Sequence, residues 1–299
     1  MNEIIKLLKE KGPLTGKELL EKSRRDALLL WRFCNETEEI YTKAVGKRYL
    51  RLDKRIQGYA RLSPSILREF LTYTVIGLNT DFTKIEEKTK TLLESIEKIS
   101  REKFELSKEI ISQLFQAQKD HKEIEEKTVF IIAGDVVYNM AHSELRPEVS
   151  TGEMVKGSDL DIIIVTEDLS EDIIKEIDQS IYKEKYYLIK RPAYREELDY
   201  IIKDMRKVEN QLHFNSFEFM VASKLLHEGK FLLGSMQLFE NIKKLLQKKR
   251  IPEKLARLEN IAIIERVNAK SCLLNDPDPL SQDECTKLFY TKEEAEEIF

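Results

Sequence analysis

Apolar residues recur at helical spacing through the first 36 positions of the chain. In "NEIIKLLKEKG", Ile4, Ile5, Leu7 and Leu8 share one face, and the pattern stops at the glycine and proline that follow. The stretches "TGKELLEKS" and "RRDALLLWRFCNE" have the same period. The pattern therefore predicts three short helices in succession.

The period then changes from helical to alternating. In "EIYTKAVGKRYLRLD", apolar and polar residues alternate on both sides of Gly46, which is typical of a β-hairpin. Three short helices followed by a hairpin resemble a winged helix-turn-helix domain. We therefore predict a winged-helix-like domain over residues 1–55.

Residues 56–127 combine a short unusual stretch with a long charged one. The long stretch, which starts at "DFTKIEEKTK", repeats apolar residues at three and four with dense charges between them, as one or two amphipathic helices do. We predict a helical connector over residues 56–127, which would serve as a linker or as a dimerisation arm. "ARLSPSILREF" has a serine and a proline suited to capping a helix, but its sequence indicates no role.

From residue 128 onwards, short strands rich in Ile, Val and Tyr alternate with a helical pattern, in "TVFIIAGDVVYNMA", "GSDLDIIIVTEDL", "EDIIKEIDQSIYK" and "ELDYIIKD". This order predicts an α/β module with a sheet. The residues after 235, including the segment 252–274, return to helical spacing. We predict a C-terminal helical region over 236–299.

Composition fits a globular protein, and its charge is segregated. The 299 residues are 41% hydrophobic and carry a net charge of -4, whereas residues 1–55 hold 14 Lys and Arg against 9 Asp and Glu. This local excess predicts a face that contacts the phosphates of a nucleic acid. The alternative is a domain that binds protein or packs on its neighbour. The candidate nucleic-acid-binding residues are Arg24, Arg25, Arg32, Lys47 and Arg48.

Cysteine spacing and hydropathy bear on localisation. The three cysteines lie far apart, without the paired spacing of a zinc site or a disulfide framework, which favours a reducing compartment. No run approaches the roughly 20 apolar residues of a membrane span. We expect a cytoplasmic protein without a membrane partner.

The stretch "VKGSDLDIIIV" contains the most informative pair of residues in the chain. On a strand, side chains two residues apart share a face, so Asp159 and Asp161 should point the same way while Leu160 enters the core. Their repulsion is tolerable if they are solvated or if a hard cation such as Mg²⁺ lies between them. The run that follows, "IIIV", would hold the pair rigid.

Two further features accompany this pair. Upstream, "FIIAGDVVYNMA" reads as a strand, a turn at Gly134 and Asp135, and a helix. Downstream, "ELDYIIKD" offers Asp199 at the start of another strand, with Glu197 and Asp204 as rivals. Asp199 is preferred because Leu198 and Tyr200 bracket it.

A glycine turn that opens a helix, then "GSDLDIIIV", then a later strand with one more aspartate resembles the nucleotidyltransferase superfamily of DNA polymerase beta. The resemblance covers about residues 128–235. It implies a mixed sheet with helices for these residues. With the predictions for the other segments, the expected fold is α+β: an N-terminal winged helix, a helical connector, a nucleotidyltransferase-fold mixed sheet with helices, and a C-terminal helical region.

The resemblance also implies residue roles. Asp159, Asp161 and Asp199 would be the catalytic carboxylates and would bind Mg²⁺ or Mn²⁺. Gly134, Asp135, Gly157 and Ser158 would contact the nucleotide. The family turn ends in Gly or Ser rather than Asp135, whose charge would repel a triphosphate unless it helps to hold a cation. The insertion "AHSELRPEVSTGEMVK" could bring Arg146 or Lys156 to the nucleotide. The favoured interpretation of both residues, however, is that they are solvated charges on a loop.

The favoured function is metal-dependent transfer of a nucleoside monophosphate from a nucleoside triphosphate, expected to be ATP, to an unidentified acceptor, with release of pyrophosphate. Two metals can stabilise both the attacking and the leaving oxygen. One alternative is a non-catalytic DNA-binding regulator whose degenerate fold senses nucleotide. Another is a scaffold that forms a homodimer through the helical connector.

Overall fold

The computed structural model describes residues 2–275, 282–291 and 294 of the chain, which is a mixed α+β protein with several small sheets. The parts of the expected C-terminal helical region at 276–281, 292–293 and 295–299 lie outside the described residues. The described chain divides into two compact units, residues 1–96 with 258–299 and residues 97–257. None of its described helices is both long and apolar enough to cross a membrane.

Helices and strands are numbered here in chain order. The helices are α1 (Asn2–Lys11), α2 (Gly16–Ser23), α3 (Ala27–Glu36), α4 (Ile66–Tyr73), α5 (Phe82–Gln116), α6 (His121–Lys127), α7 (Asp135–Tyr138), α8 (Glu171–Lys190), α9 (Met205–Gln211), α10 (Phe217–Glu228), α11 (Met236–Lys248), α12 (Ile251–Asn275) and α13 (Gln282–Phe289). The strands are β1 (Leu14–Thr15), β2 (Ile40–Ala44), β3 (Tyr49–Leu52), β4 (Ala60–Ser63), β5 (Thr74–Leu78), β6 (Thr128–Ile132), β7 (Leu145–Pro147), β8 (Met154–Lys156), β9 (Leu160–Thr166), β10 (Leu198–Asp204) and β11 (Lys230–Gly234).

The first three helices lie where the sequence predicts them, and local signals explain their ends. Thr15 and Glu18 form a reciprocal capping box at the start of α2. The carboxylate of Asp26 accepts from the amides of Leu28 and Leu29 at the start of α3. Gly12, with a φ of +75°, follows α1 in a conformation that glycine adopts without strain.

The hairpin expected on both sides of Gly46 is wrong. β2 pairs with β5, with Ile40 opposite Leu78, and β3 pairs with β4. The first sheet therefore has the order β1-β5-β2, and β3 with β4 forms a separate ribbon. The alternation correctly predicts the strands β2 and β3, but these do not pair with each other. Instead β5, which is buried along its whole length, offers β2 an apolar partner that lies 30 or more residues later in the chain.

Residues 56–127 are not helical throughout. They contain β4, α4 and β5 as well as the long helix α5 and the short helix α6. The stretch "TVIGL" that forms β5 is apolar and β-branched, which favours a buried strand.

The core of the first unit packs residues of α1 to α4 against the sheet and against residues of α12 and α13, including Ala269, Leu273 and Phe289. Residues 1–55 thus share one core with later segments.

The second unit is built on a four-stranded sheet with the order β10-β9-β6-β11. β9 and β10 run parallel, whereas β6 runs antiparallel to β9 and β11 antiparallel to β6. Ile162 and Ile164 of β9 pack in a core with Phe130 and Ile132 of β6 and with residues of α5, α6 and α8. This order brings the beginnings of β9, β10 and β11 to the same end of the sheet as the end of β6.

Candidate functional site

Acidic residues gather at that end of the sheet. Asp159 and Asp161 lie at the start of β9, separated by the fully buried Leu160, as the alternation predicts. Asp199 of β10 is the direct register partner of Asp161, next to the pair formed by Leu198 and Leu160. Because paired strands lie about 4.8 Å apart, the two aspartates are close neighbours.

The turn after β6 approaches this cluster closely. Gly134 has φ +72° and ψ -156°, a region of backbone space that is essentially restricted to glycine. A Cβ at this position would lie 2.1 Å from Oδ2 of Asp161. The amide of Ala133 donates to the carbonyl of Asp161 at 3.0 Å, which fixes the turn against β9.

The turn before β9 also leaves no room for a side chain at its glycine, Gly157. A Cβ on Gly157 would lie 2.1 Å from Cε1 of His142. Ser158 adopts a φ of +58° and donates its hydroxyl hydrogen to Asp135 at 3.0 Å, while its oxygen accepts from the amide of His142 at 3.1 Å. Asp135 and Ser158, both expected to contact nucleotide, therefore contact each other.

The segment 141–156, expected as an inserted loop, contains the β7–β8 hairpin. Glu148 stabilises its turn, because its carboxylate accepts hydrogen bonds from the amides and hydroxyls of Ser150 and Thr151. Arg146 of β7 is buried, and its guanidinium contacts Asp159 and also Glu197, the latter at 2.9 Å. The interpretation of Arg146 as a solvated loop charge is wrong.

The hairpin also carries Lys156, which lies 3.3 Å from Glu196. Glu196 is buried and pairs with Lys103 of α5, a lysine that is equally buried. The side chain of Lys156 is 37% exposed. Arg146 is therefore the cation that the hairpin brings directly to Asp159.

Two further residues reach the site from more distant segments of the chain. Lys185 of α8 pairs with Asp199 at 2.6 Å. Glu228, the last residue of α10, has a side chain that is 3% exposed, and it accepts from the amide of Gly134 at 3.3 Å and from the hydroxyl of Tyr138 at 2.7 Å. It also contacts Lys224, one helical turn earlier in α10. Glu228 reaches the site because β11, which begins two residues later, pairs with β6.

The rivals of Asp199 have other partners. Glu197 binds Arg146, and Asp204 lies at the far end of β10, where it caps α9 by accepting from the amide of Lys207 at 2.7 Å. Asp199 is thus the residue of the three that stands opposite Asp161.

The surroundings of the site disfavour ionisation of its carboxyl groups. Burial raises the pKa of Asp161 well above its ordinary value, and the neighbouring carboxylates of Asp159, Asp135, Asp199 and Glu228 raise it further. Burial also raises the pKa of Asp159, although Arg146 opposes that effect. Burial and Asp159 raise the pKa of Glu197 to about 7, again against Arg146. Additional positive charge would stabilise the ionised carboxylates.

The carboxylates of the site are chemically suitable ligands for a hard cation, but their present geometry does not form a binding site for one. Carboxylate oxygens are what Mg²⁺ and Mn²⁺ prefer, and five carboxylates influence one another here. In the part of the chain that the structure describes, however, no group of three His, Cys, Asp or Glu side chains has a geometry that could hold a metal ion. Arg146 and Lys185 already engage two of the three expected ligands.

A groove of about 670 Å³ adjoins Asp199 on the exposed side of β10. Tyr182 and Lys185 of α8 line one wall, and Tyr200 and Ile201 line the other. Tyr200 donates its hydroxyl hydrogen to the carboxylate of Asp178 at 2.8 Å. The groove therefore presents aromatic surface next to a carboxylate.

The candidate basic residues of the N-terminal segment differ in their partners. Arg32 donates to the carbonyl of Leu273, and Arg48 is paired with the buried Glu69. Arg25 pairs with Glu3 at 3.0 Å on the surface, and Arg24 and Lys47 are exposed. Arg25, Arg32 and Arg48 thus each have a partner within their own unit.

A scan against protein-family models, a search of curated proteins and a search of solved structures each found no match to this chain.

Proposed function

We propose that the chain is a metal-dependent nucleotidyltransferase that transfers a nucleoside monophosphate from a nucleoside triphosphate to an acceptor hydroxyl. The observation that carries this proposal is the register of β9 and β10, which sets Asp199 directly opposite Asp161 with Asp159 alongside. A cluster of carboxylates that resist ionisation is a typical sign of a functional site.

The cation, Mg²⁺ or Mn²⁺, would be held by Asp159, Asp161 and Asp199 and would supply charge stabilisation for phosphoryl transfer. Its binding would require Arg146 and Lys185 to give up their present carboxylate partners. Arg146 would then be the residue best placed to bind a triphosphate oxygen, since a guanidinium suits phosphate geometry.

The remaining residues position these groups. Gly134 keeps the turn after β6 close to Asp161, and the hydrogen bond between Asp135 and Ser158 ties that turn to the start of β9. The tyrosine-lined groove beside Asp199 is the proposed place for the acceptor, because planar surface there adjoins the carboxylate that would orient its hydroxyl.

The finer fold assignment belongs to the same proposal. In the first unit, helices α1 to α3 and the three-stranded sheet β1-β5-β2 suit a winged helix in which the segment between β2 and β5 is an expanded wing. We assign nucleic-acid contact to its exposed basic residues Arg24, Arg25 and Lys47, and dimerisation to the helix α5.

The proposal is tested by incubating the protein with each α-³²P-labelled nucleoside triphosphate and Mg²⁺ or Mn²⁺. Labelled transfer to added RNA, to protein or to the chain itself, and release of pyrophosphate, are measured together. Asp161→Asn should abolish both signals. Asp172→Asn, at a 94% exposed side chain on α8, is the matched control and should retain them. Activity that persists in Asp161→Asn would refute the proposal.

A second candidate is a nucleotide-sensing regulator without catalysis. The observation that favours it is that Arg146 and Lys185 already neutralise Asp159 and Asp199. In that case a nucleoside triphosphate would bind to wild-type protein in equilibrium dialysis without any release of pyrophosphate.

A further inference from the structure

A polar cavity of about 350 Å³ lies within the first unit, between α3, β2, α4 and α12. Arg48, Glu69 and Lys270 give it charge, and Trp31 and Phe70, which are 4% and 2% exposed, form part of its wall. Glu69 comes from "ARLSPSILREF", the segment to which the sequence assigned no role. A cavity of this size is at the small end of the range for ligand sites.

Positive charge exceeds negative charge around Glu69. Its buried carboxylate contacts Arg48, Lys270 at 2.8 Å and Arg266 at 3.4 Å. Glu69 therefore has three cationic partners. Burial, together with the neighbouring Arg48 and Arg61, lowers the pKa of Arg266 to about 10 against the opposing effects of Glu69 and Glu294. Clustered cations of this kind are stabilised by a bound anion.

The cations differ in how accessible they are. Arg266 is 9% exposed and also donates to the carbonyls of Leu62 and Pro64, so it anchors Glu69 from behind. The side chains of Arg48 and Lys270 are 46% and 34% exposed, and both line the cavity. These two therefore remain within reach of a ligand while they hold Glu69.

We propose that this cavity binds a phosphate-bearing small molecule, with the phosphate on Arg48 and Lys270. A phosphate ester carries a charge of about -1.5 to -2, which complements the positive charge of these two side chains. The polar groups of Asn35, Thr42 and Thr74 on the cavity wall supply further hydrogen-bonding atoms. This site is independent of the proposed catalytic function.

Trp31 makes the proposal directly testable, because it is the one tryptophan in the chain. All tryptophan fluorescence of the chain therefore comes from the wall of this cavity. We expect AMP to change that fluorescence in a saturable way, and adenosine, which lacks the phosphate, to bind at least about ten-fold more weakly. Asp161→Asn should leave the AMP titration unchanged, which separates this site from the carboxylate cluster.

Two variants test the charges. Lys270→Gln and Arg48→Gln each leave Glu69 with two cations, and each should weaken AMP about ten-fold or more. Lys244→Gln, at a 74% exposed side chain on α11, is the matched control and should bind AMP as the wild type does. Circular dichroism checks that each variant is folded. Absence of a saturable AMP response, equal binding of adenosine, or unchanged AMP binding in both folded charge variants would overturn the proposal.

Discussion

Gly134 and Asp161 lie so close together that one methyl group on the glycine would fall 2.1 Å from a carboxylate oxygen of the aspartate. Gly134 is also in a backbone conformation that other residues avoid. The turn after β6 can therefore lie against Asp161 only because residue 134 is glycine.

Gly134→Ala should disrupt the acidic cluster. Backbone strain and overpacking each cost about 1–3 kcal/mol, so the free energy of unfolding should fall by several kcal/mol. Gly152→Ala is the matched control, because Gly152 also has a positive φ of +70° but nothing within 4 Å of its Cβ position. It should lose only the strain contribution of about 1–3 kcal/mol. Urea unfolding of both variants makes the comparison, and equal losses would contradict it.

The sequence predicts local features of this site and misses its long-range ones. Asp159 and Asp161 share a face because strand geometry fixes it, and the caps of α2 and α3 need only neighbouring residues. The contacts of Glu228 with Gly134 and of Lys185 with Asp199 depend on packing between distant segments. The pairing of β2 with β5 has the same origin. Nothing in the alternation around Gly46 distinguishes a local partner from a distant one.

Arg146 should be a stabilising residue as well as a candidate ligand. Arg146→Met would leave Asp159 and Glu197 without their shared cation, and removal of one member of a buried ion pair costs about 3–5 kcal/mol. Urea unfolding in EDTA measures this loss. If a cation occupies the site as proposed, Mn²⁺ should restore more stability to Arg146→Met than to the wild type, since it would replace the missing charge. An equal Mn²⁺ effect on both proteins would contradict this account.

Asp161→Asn should have the opposite effect on stability. Burial and four neighbouring carboxylates raise the pKa of Asp161, so its ionised form is unfavourable in the metal-free protein. The neutral amide removes this repulsion, and the variant should be at least as stable as the wild type at pH 7 in EDTA. It should also lose the heat of Mn²⁺ binding in isothermal titration calorimetry. A large loss of stability would show that Asp161 has a structural cationic partner.

The buried pair of Lys103 and Glu196 should show strong coupling. Each side chain is 4% exposed, and Lys156 is a second cation near Glu196. Lys103→Met should cost about 3–5 kcal/mol because the carboxylate loses its buried partner. The double variant Lys103→Met/Glu196→Gln should cost less than the sum of the single variants. Additive losses in a double-mutant cycle would contradict the coupling.

Asp53 gives the first unit a defined acid dependence. Burial would raise its pKa, but hydrogen bonds from Arg55 and Arg61 outweigh burial and hold the pKa at about 2, against an ordinary value of 3.8. Because the folded pKa is lowered, the stabilisation is complete above about pH 4 and is lost as the pH falls through 2. A shift of this size corresponds to about 2 kcal/mol.

Asp53→Asn should therefore reduce the free energy of unfolding by at least that amount at pH 7, where Arg61 also loses a buried partner. The difference from the wild type should narrow in urea titrations as the pH is lowered from 4 towards 2. Asp172→Asn, on the exposed face of α8, should show no comparable difference at either end of this range, and a constant gap for Asp53→Asn would contradict the assignment.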